Sequence, residues 1–180
     1  MKTKIYFFLV LSVFALQSKA QYSRRGNGEI DKVAFGIGLG FDYGGIGGSI
    51  LAYPQENIGL FVGGGYTPAG FGYNVGVKAR FMTKSSSRTR PYLIGMYGYN
   101  AAIAVTNASQ FSKLFYGPSF GFGIDRMSRH GKGYWSYAIL FPVRGTDVDN
   151  YINTLRNSGV NFSNGLSPVA FSIGYHFIIE

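Results

Sequence analysis

At the C-terminal end of the chain Val169, Phe171, Ile173, Tyr175 and Phe177 alternate strictly with Ala170, Ser172, Gly174 and His176. Successive side chains of a strand point to opposite faces, so five large apolar groups share one side and only small or polar groups the other. A strand half-buried on a soluble core shows Lys, Glu and Thr opposite its apolar face. A strand that crosses a bilayer within a closed barrel instead turns its bulk to lipid and keeps small or polar residues for a narrow interior. The same arrangement recurs in Val33, Phe35, Ile37, Leu39, Phe41 and Tyr43 against Ala34, Gly36, Gly38, Gly40 and Asp42. It recurs again in Phe71 to Phe81, where Lys78 and Arg80 fall on the glycine face. A basic residue on the lipid side near the bilayer midplane costs about 2–4 kcal/mol, so that parity is the one a barrel requires.

Read for alternation and turn residues, the sequence predicts an all-β chain of eight strands, at about 32–43, 46–53, 58–66, 71–81, 90–101, 114–126, 134–143 and 169–177. Strand 3 is Gly-rich and less clearly two-sided, strand 5 carries large residues at both parities, Tyr92, Ile94 and Met96 against Leu93, Tyr97 and Tyr99, and the faces of both stay open. Pro118 lacks an amide donor and implies a bulge, or pairing that starts after it. Residues 100–113 read as a longer loop, as do 144–166, within which Asp147 to Arg156 suit a short helix with Val148, Tyr151, Ile152 and Leu155 on one side. An even strand number closes an up-and-down antiparallel barrel with both termini at one end. Tyr43, Tyr53, Tyr66, Tyr73, Tyr92, Tyr99, Tyr134, Trp135 and Tyr175 stand at strand ends, where two interfacial girdles of aromatic rings are expected.

Residues 1–20 read as a secretory signal, with Lys2 and Lys4 before an apolar run from Ile5 to Leu16 and Ser18-Lys19-Ala20 as the cleavage site. Cleavage between Ala20 and Gln21 leaves a polar leader over 21–31 and a barrel domain over 32–180. The apolar run is shorter than the roughly 20 residues of a spanning helix, so any membrane crossing falls to strands. The sequence has no Cys, which removes disulfides, thiolate metal sites and a thiol nucleophile. Of 17 basic residues three precede the cleavage site, and the remaining 14 against 8 acidic ones leave a charge of +6. Those basic residues are dispersed through turns and form no basic helix, which argues against nucleic acid as a partner.

With the signal segment, the eight alternating strands and the aromatic end Gly174-Tyr175-His176-Phe177 in place, residues 32–177 resemble the small outer-membrane β-barrel proteins of Gram-negative bacteria, the porin-like or OmpA/OmpX-like group. The resemblance implies residence in a bacterial outer membrane, contact with its lipid, and recognition of the last strand by the barrel-insertion machinery. It also implies a non-enzymatic role in envelope structure, surface interaction or limited solute passage. The reading from a different class is a secreted soluble β-sandwich or barrel that binds an apolar ligand, and a lipid-modifying outer-membrane enzyme is a third.

The chemistry-bearing residues are few. His130 falls in a basic turn and His176 in the last strand, so no Ser-His-Asp set or paired-His metal site is suggested, and no cofactor is expected. Ser172 and His176 share a face, but four residues of strand separate them by about 13 Å, too far for a hydrogen bond. Gly36, Gly38, Gly40 and Gly63 to Gly65 lie inside strands, not between a strand and a helix, and so relieve crowding and do not form a phosphate loop. The informative group is the polar set expected to face the lumen, Asn74, Lys78, Arg80, Ser119, Asp125 and His176. Lys78 or Arg80 is expected to pair with Asp125, because a buried charge needs a partner; ion conduction is the other use of the same charges. Recognition of an extracellular ligand or protein is expected on the long loops, with Tyr151, Ile152 and Leu155 either meeting that partner or packing on the barrel rim.

Overall fold

A computed structural model describes residues 33–81, 88–103, 111–157 and 166–179. The expected signal segment with its cleavage site between Ala20 and Gln21, the expected leader, and residues 82–87, 104–110 and 158–165 lie outside the described residues. Eight strands, β1 (Val33–Gly40), β2 (Gly45–Ala52), β3 (Ile58–Thr67), β4 (Gly70–Arg80), β5 (Thr89–Ile103), β6 (Lys113–Met127), β7 (Gly133–Pro142) and β8 (Ala170–Ile178), pair in sequence order. β1 then pairs antiparallel with β8, from Ala34 opposite Ile178 to Gly40 opposite Ser172, so the sheet is a closed antiparallel barrel with up-and-down topology.

The two-residue alternation decides which face each side chain takes. Phe35, Ile37, Leu39, Val75, Val77, Phe120, Phe122, Phe171 and Ile173 point outward and are exposed, while Ala34, Asn74, Lys78, Ser119, Ser172 and His176 point inward and are buried. The parities left open resolve the same way. In β3 Leu60, Val62 and Tyr66 face out over inward Phe61, and in β5 Leu93 and Tyr97 face out over inward Tyr92, Ile94 and Met96.

Several expectations need correction. β1 stops at Gly40, and Phe41–Tyr43 form a single 3-10 turn folded into the lumen instead of two further strand residues. Gly40 (φ 138°) and Gly44 (φ 69°) flank that turn in conformations that other residues rarely adopt, which is what lets the chain leave the wall and return within four residues. Tyr43 is thus 1% exposed, and Tyr53, Tyr92, Tyr99 and Tyr134 are also buried, so these five fill the interior; Tyr66, Tyr73 and Trp135 are the exposed members of the expected girdles. Pro118 pairs with Tyr97 without a bulge, and the register shift falls instead between Tyr99 and Ala101.

The expected loop at 100–113 is strand at its two ends, because β5 runs to Ile103 and β6 starts at Lys113, and residues 104–110 lie outside the described residues. Beyond Gly98 β5 no longer pairs with β4, and before Ser119 β6 does not pair with β7. Tyr99 to Ile103 and Lys113 to Gly117 therefore form a two-stranded flap above the rest of the wall, about 16 Å long at roughly 3.3 Å per residue. The helix α1 (Thr146–Asn157) covers this flap. Ala101, Ile103 and Phe115, which continue the lumen-facing set, pack with Val148 and Leu155, and Tyr151 and Ile152 lie half-buried beside them. The apolar side of α1 thus rests on the barrel rim.

Candidate functional site

In the half of the barrel nearer the start of β1 and the end of β8, one polar network crosses the lumen. Alternation along β4 turns Lys78 and Arg80 inward, and alternation along β6 brings Asp125 to meet them. Lys78 Nζ lies 2.8 Å from Asp125 Oδ1, and Arg80 Nε lies 2.7 Å from Oδ2, with all three side chains buried. Each carboxylate oxygen thereby has its own cation. Lys78 also donates to Ser136 Oγ at 3.1 Å, and Tyr92 OH lies 2.9 Å from the same oxygen. Aromatic faces complete the solvation of both cations: Lys78 Nζ stands 3.7 Å from the Tyr92 ring centroid, and the Arg80 guanidinium 4.1 and 4.6 Å from those of Tyr53 and Tyr134. Such contacts replace part of the hydration a cation loses on burial.

The Tyr134 ring stacks on His176 at 4.8 Å and an interplanar angle of 7°. On the other side His176 Nε2 faces Ser49 Oγ at 3.4 Å and Tyr43 OH at 3.5 Å. The network therefore runs from β4 and β5 through β6, β7 and β8 to β2, and ends on the inward turn. His176 is directed at Ser49 and Tyr43, and Ser172 lies against Asp42 at the tip of that turn. The Ser172 and His176 side chains are not brought together.

The inward turn is the second layer of the closure. Asn74 Nδ2 donates to the Phe41 carbonyl and staples the turn to β4. Glycines on the facing walls give it room: a Cβ on Gly63 would collide with the Asp42 carbonyl, one on Gly65 would come within 2.5 Å of the Tyr43 carbonyl, and one on Gly38 within 2.6 Å of the Tyr43 ring. The glycines of the inner faces thus admit a turn. Asn100, expected at the start of a loop, is 1% exposed and donates to Pro118 O at 2.9 Å and Ser119 Oγ at 3.1 Å, holding the base of the flap. Its only sequence signal is a polar residue at the end of an aromatic strand.

Above this closure lies a mouth pocket of about 620 Å3. Its floor is Gly40 and Phe41, its sides are Tyr99, Ala101 and Ala102 of the flap and Tyr66 to Pro68 of the β3–β4 turn, and Arg144, Leu166 and Ala170 close it on the β7–β8 side. The Phe41 and Tyr99 rings pack directly against each other in its lining, with centroids 4.7 Å apart. Leu39, Ile46 and Phe171, which point away from the lumen, also line it, so the pocket is continuous with the outer face of the barrel over its lowest edge, the turn between β1 and β2.

Among the described residues no group of three or more His, Cys, Asp or Glu side chains is placed to hold a metal. No protein-family model matches the chain, and no curated protein matches it in sequence.

Proposed function

We propose that the chain is a transmembrane barrel of a bacterial outer membrane, non-enzymatic, whose filled lumen leaves its outer mouth and loops as the working surface. The observation that carries this reading is the outer face. Large apolar side chains stand at outward positions on all eight strands, and the charged residue among the described outward strand positions, Arg126, stands at the end of β6. From Phe71 to Phe81 the apolar face of β4, with the residue that follows it, covers ten residue steps, about 33 Å along the strand; at the ~40° tilt usual for such barrels this is ~25 Å of height, the thickness of the apolar band. Apolar patches on soluble monomers reach roughly 300–600 Å2, and a continuous belt is what lipid requires. Lipid of the outer membrane and the barrel-insertion machinery, reading β8, are the partners this reading implies.

Two layers in the lumen, the Lys78–Asp125–Arg80 network and the inward turn, favour envelope structure or surface interaction over solute passage. The purified mature chain is expected to need detergent, to migrate differently on a denaturing gel when boiled and unboiled, and to give no channel openings in planar bilayers. Full solubility in buffer without detergent overturns the membrane reading in favour of a soluble barrel. Discrete ion-selective openings overturn the closed lumen.

A further inference from the structure

We infer that the mouth pocket binds a single-chain amphiphile with an anionic head, a long-chain fatty acid in its chemistry, which enters from the lipid side over the turn between β1 and β2. The inference rests on the membrane reading above, since the entry route runs along lipid-facing residues. Its volume, about 620 Å3, falls inside the roughly 300–1,000 Å3 range of pockets that enclose small ligands. The lining is largely aromatic and aliphatic, with Phe41, Tyr99, Ala101 and Leu166 among it, so the tail of the ligand is apolar. The open edge fixes its direction. Leu39 and Phe171 are 54% and 70% exposed on the outer face and also line the pocket, giving a continuous apolar path for one chain from the bilayer into the mouth.

Arg144 sets the head group. It is the charged residue of the lining, at the end of β7 where an outer leaflet meets water. Its Nη1 reaches the Leu166 carbonyl at 3.4 Å, a long contact, and its buried Nε has no acceptor among the described residues. A guanidinium with donors to spare at the mouth of an apolar pocket matches a carboxylate, which it can grip through two parallel hydrogen bonds. One cation in the lining matches one carboxylate head.

A chain already dissolved in lipid gains little by moving into an apolar pocket, so discrimination falls on the head. Barrels reconstituted in phosphatidylcholine nanodiscs are titrated with palmitate and with hexadecanol, and binding is read as the saturable excess over protein-free discs. Palmitate is expected to saturate at one per barrel and to bind at least tenfold more tightly than hexadecanol, the size of effect expected of a charge-assisted hydrogen bond. Arg144→Met removes that preference about tenfold, Arg144→Lys keeps part of it, and Ala102→Trp, which fills the pocket, abolishes saturable binding. The boiled-against-unboiled gel shift verifies that each variant has folded. No saturable excess over empty discs, or equal binding of palmitate and hexadecanol that Arg144→Met leaves unchanged, overturns the inference. A protein that does not enter the discs fails the membrane reading instead, and the same titration in buffer then decides the pocket on its own.

Discussion

Replacing Asp125 by Ala tests the lumen network most directly, because one carboxylate there serves two cations. Its two oxygens lie 2.8 Å from Lys78 Nζ and 2.7 Å from Arg80 Nε, and none of the three side chains is more than 5% exposed. Breaking a buried pair by removing one partner costs about 3–5 kcal/mol, most of it the cost of leaving a charge unpaired. Here two charges are left, which places the change near the upper end; the Tyr53, Tyr92 and Tyr134 rings against them return part, at roughly 0.5–2 kcal/mol for each cation. The expected destabilisation is about 4 kcal/mol. Lys78→Met alone should cost less, since Arg80 still neutralises Asp125. The triple variant Asp125→Leu, Lys78→Met, Arg80→Met should return to within about 1–2 kcal/mol of the parent, because a matched apolar set of similar volume replaces a buried ion group at little net cost. Urea titration in lipid vesicles, read as the folded fraction on an unboiled gel, measures all of these. If the triple variant costs the sum of the three single changes, the residues do not act as a unit and the network is not what holds this part of the lumen.

The inward turn and the helix give two further predictions. Gly63→Ala sets a methyl group against the Asp42 carbonyl and should destabilise the barrel by about 1–3 kcal/mol, as overpacking does; the penalty should disappear when Phe41–Gly44 is replaced by a two-residue Asn-Gly turn, and its persistence in that background would show that the turn is not what Gly63 accommodates. Leu155→Asp puts a charge between α1 and Ile103 and Phe115 of the flap. Limited proteolysis should then cut within Thr146–Asn157 while the gel shift of the barrel is unchanged, and resistance equal to the parent's would refute rim packing of the helix.

The exterior of this fold is written plainly in the sequence, and much of the interior is not. β1, β4, β6 and β8 follow from parity alone, because each has large residues on one face and glycine, serine or a charge on the other. β5 resists the same reading for a physical reason: Tyr92, Ile94 and Met96 fill the lumen, so its inner face is as bulky and apolar as its outer one. Tyr134 was separable from Trp135, since neighbours in a strand point to opposite faces, whereas strand-end position alone suggested a shared girdle. Tyr43 was not separable. Its inward course depends on the backbone at Gly40 and Gly44 and on space left by glycines in other strands, and a reading along one strand holds neither. Lys78, Arg80 and Asp125 were legible as inward charges in need of partners, but that both cations share one carboxylate depends on the register across β4, β5 and β6.

The seam where β8 meets β1 bears on the time course of assembly. Tyr43 and His176, which approach each other beside it, are separated by 133 positions in the chain. Contacts that distant form late, because the loop must close before they return any energy. Until β8 arrives, the sheet is an open ribbon with β1 at one margin, presenting unpaired N–H and C=O groups to whatever strand comes first. A chain interrupted before residue 170 would keep that margin bare, and it would be an efficient seed for aggregation rather than a smaller barrel.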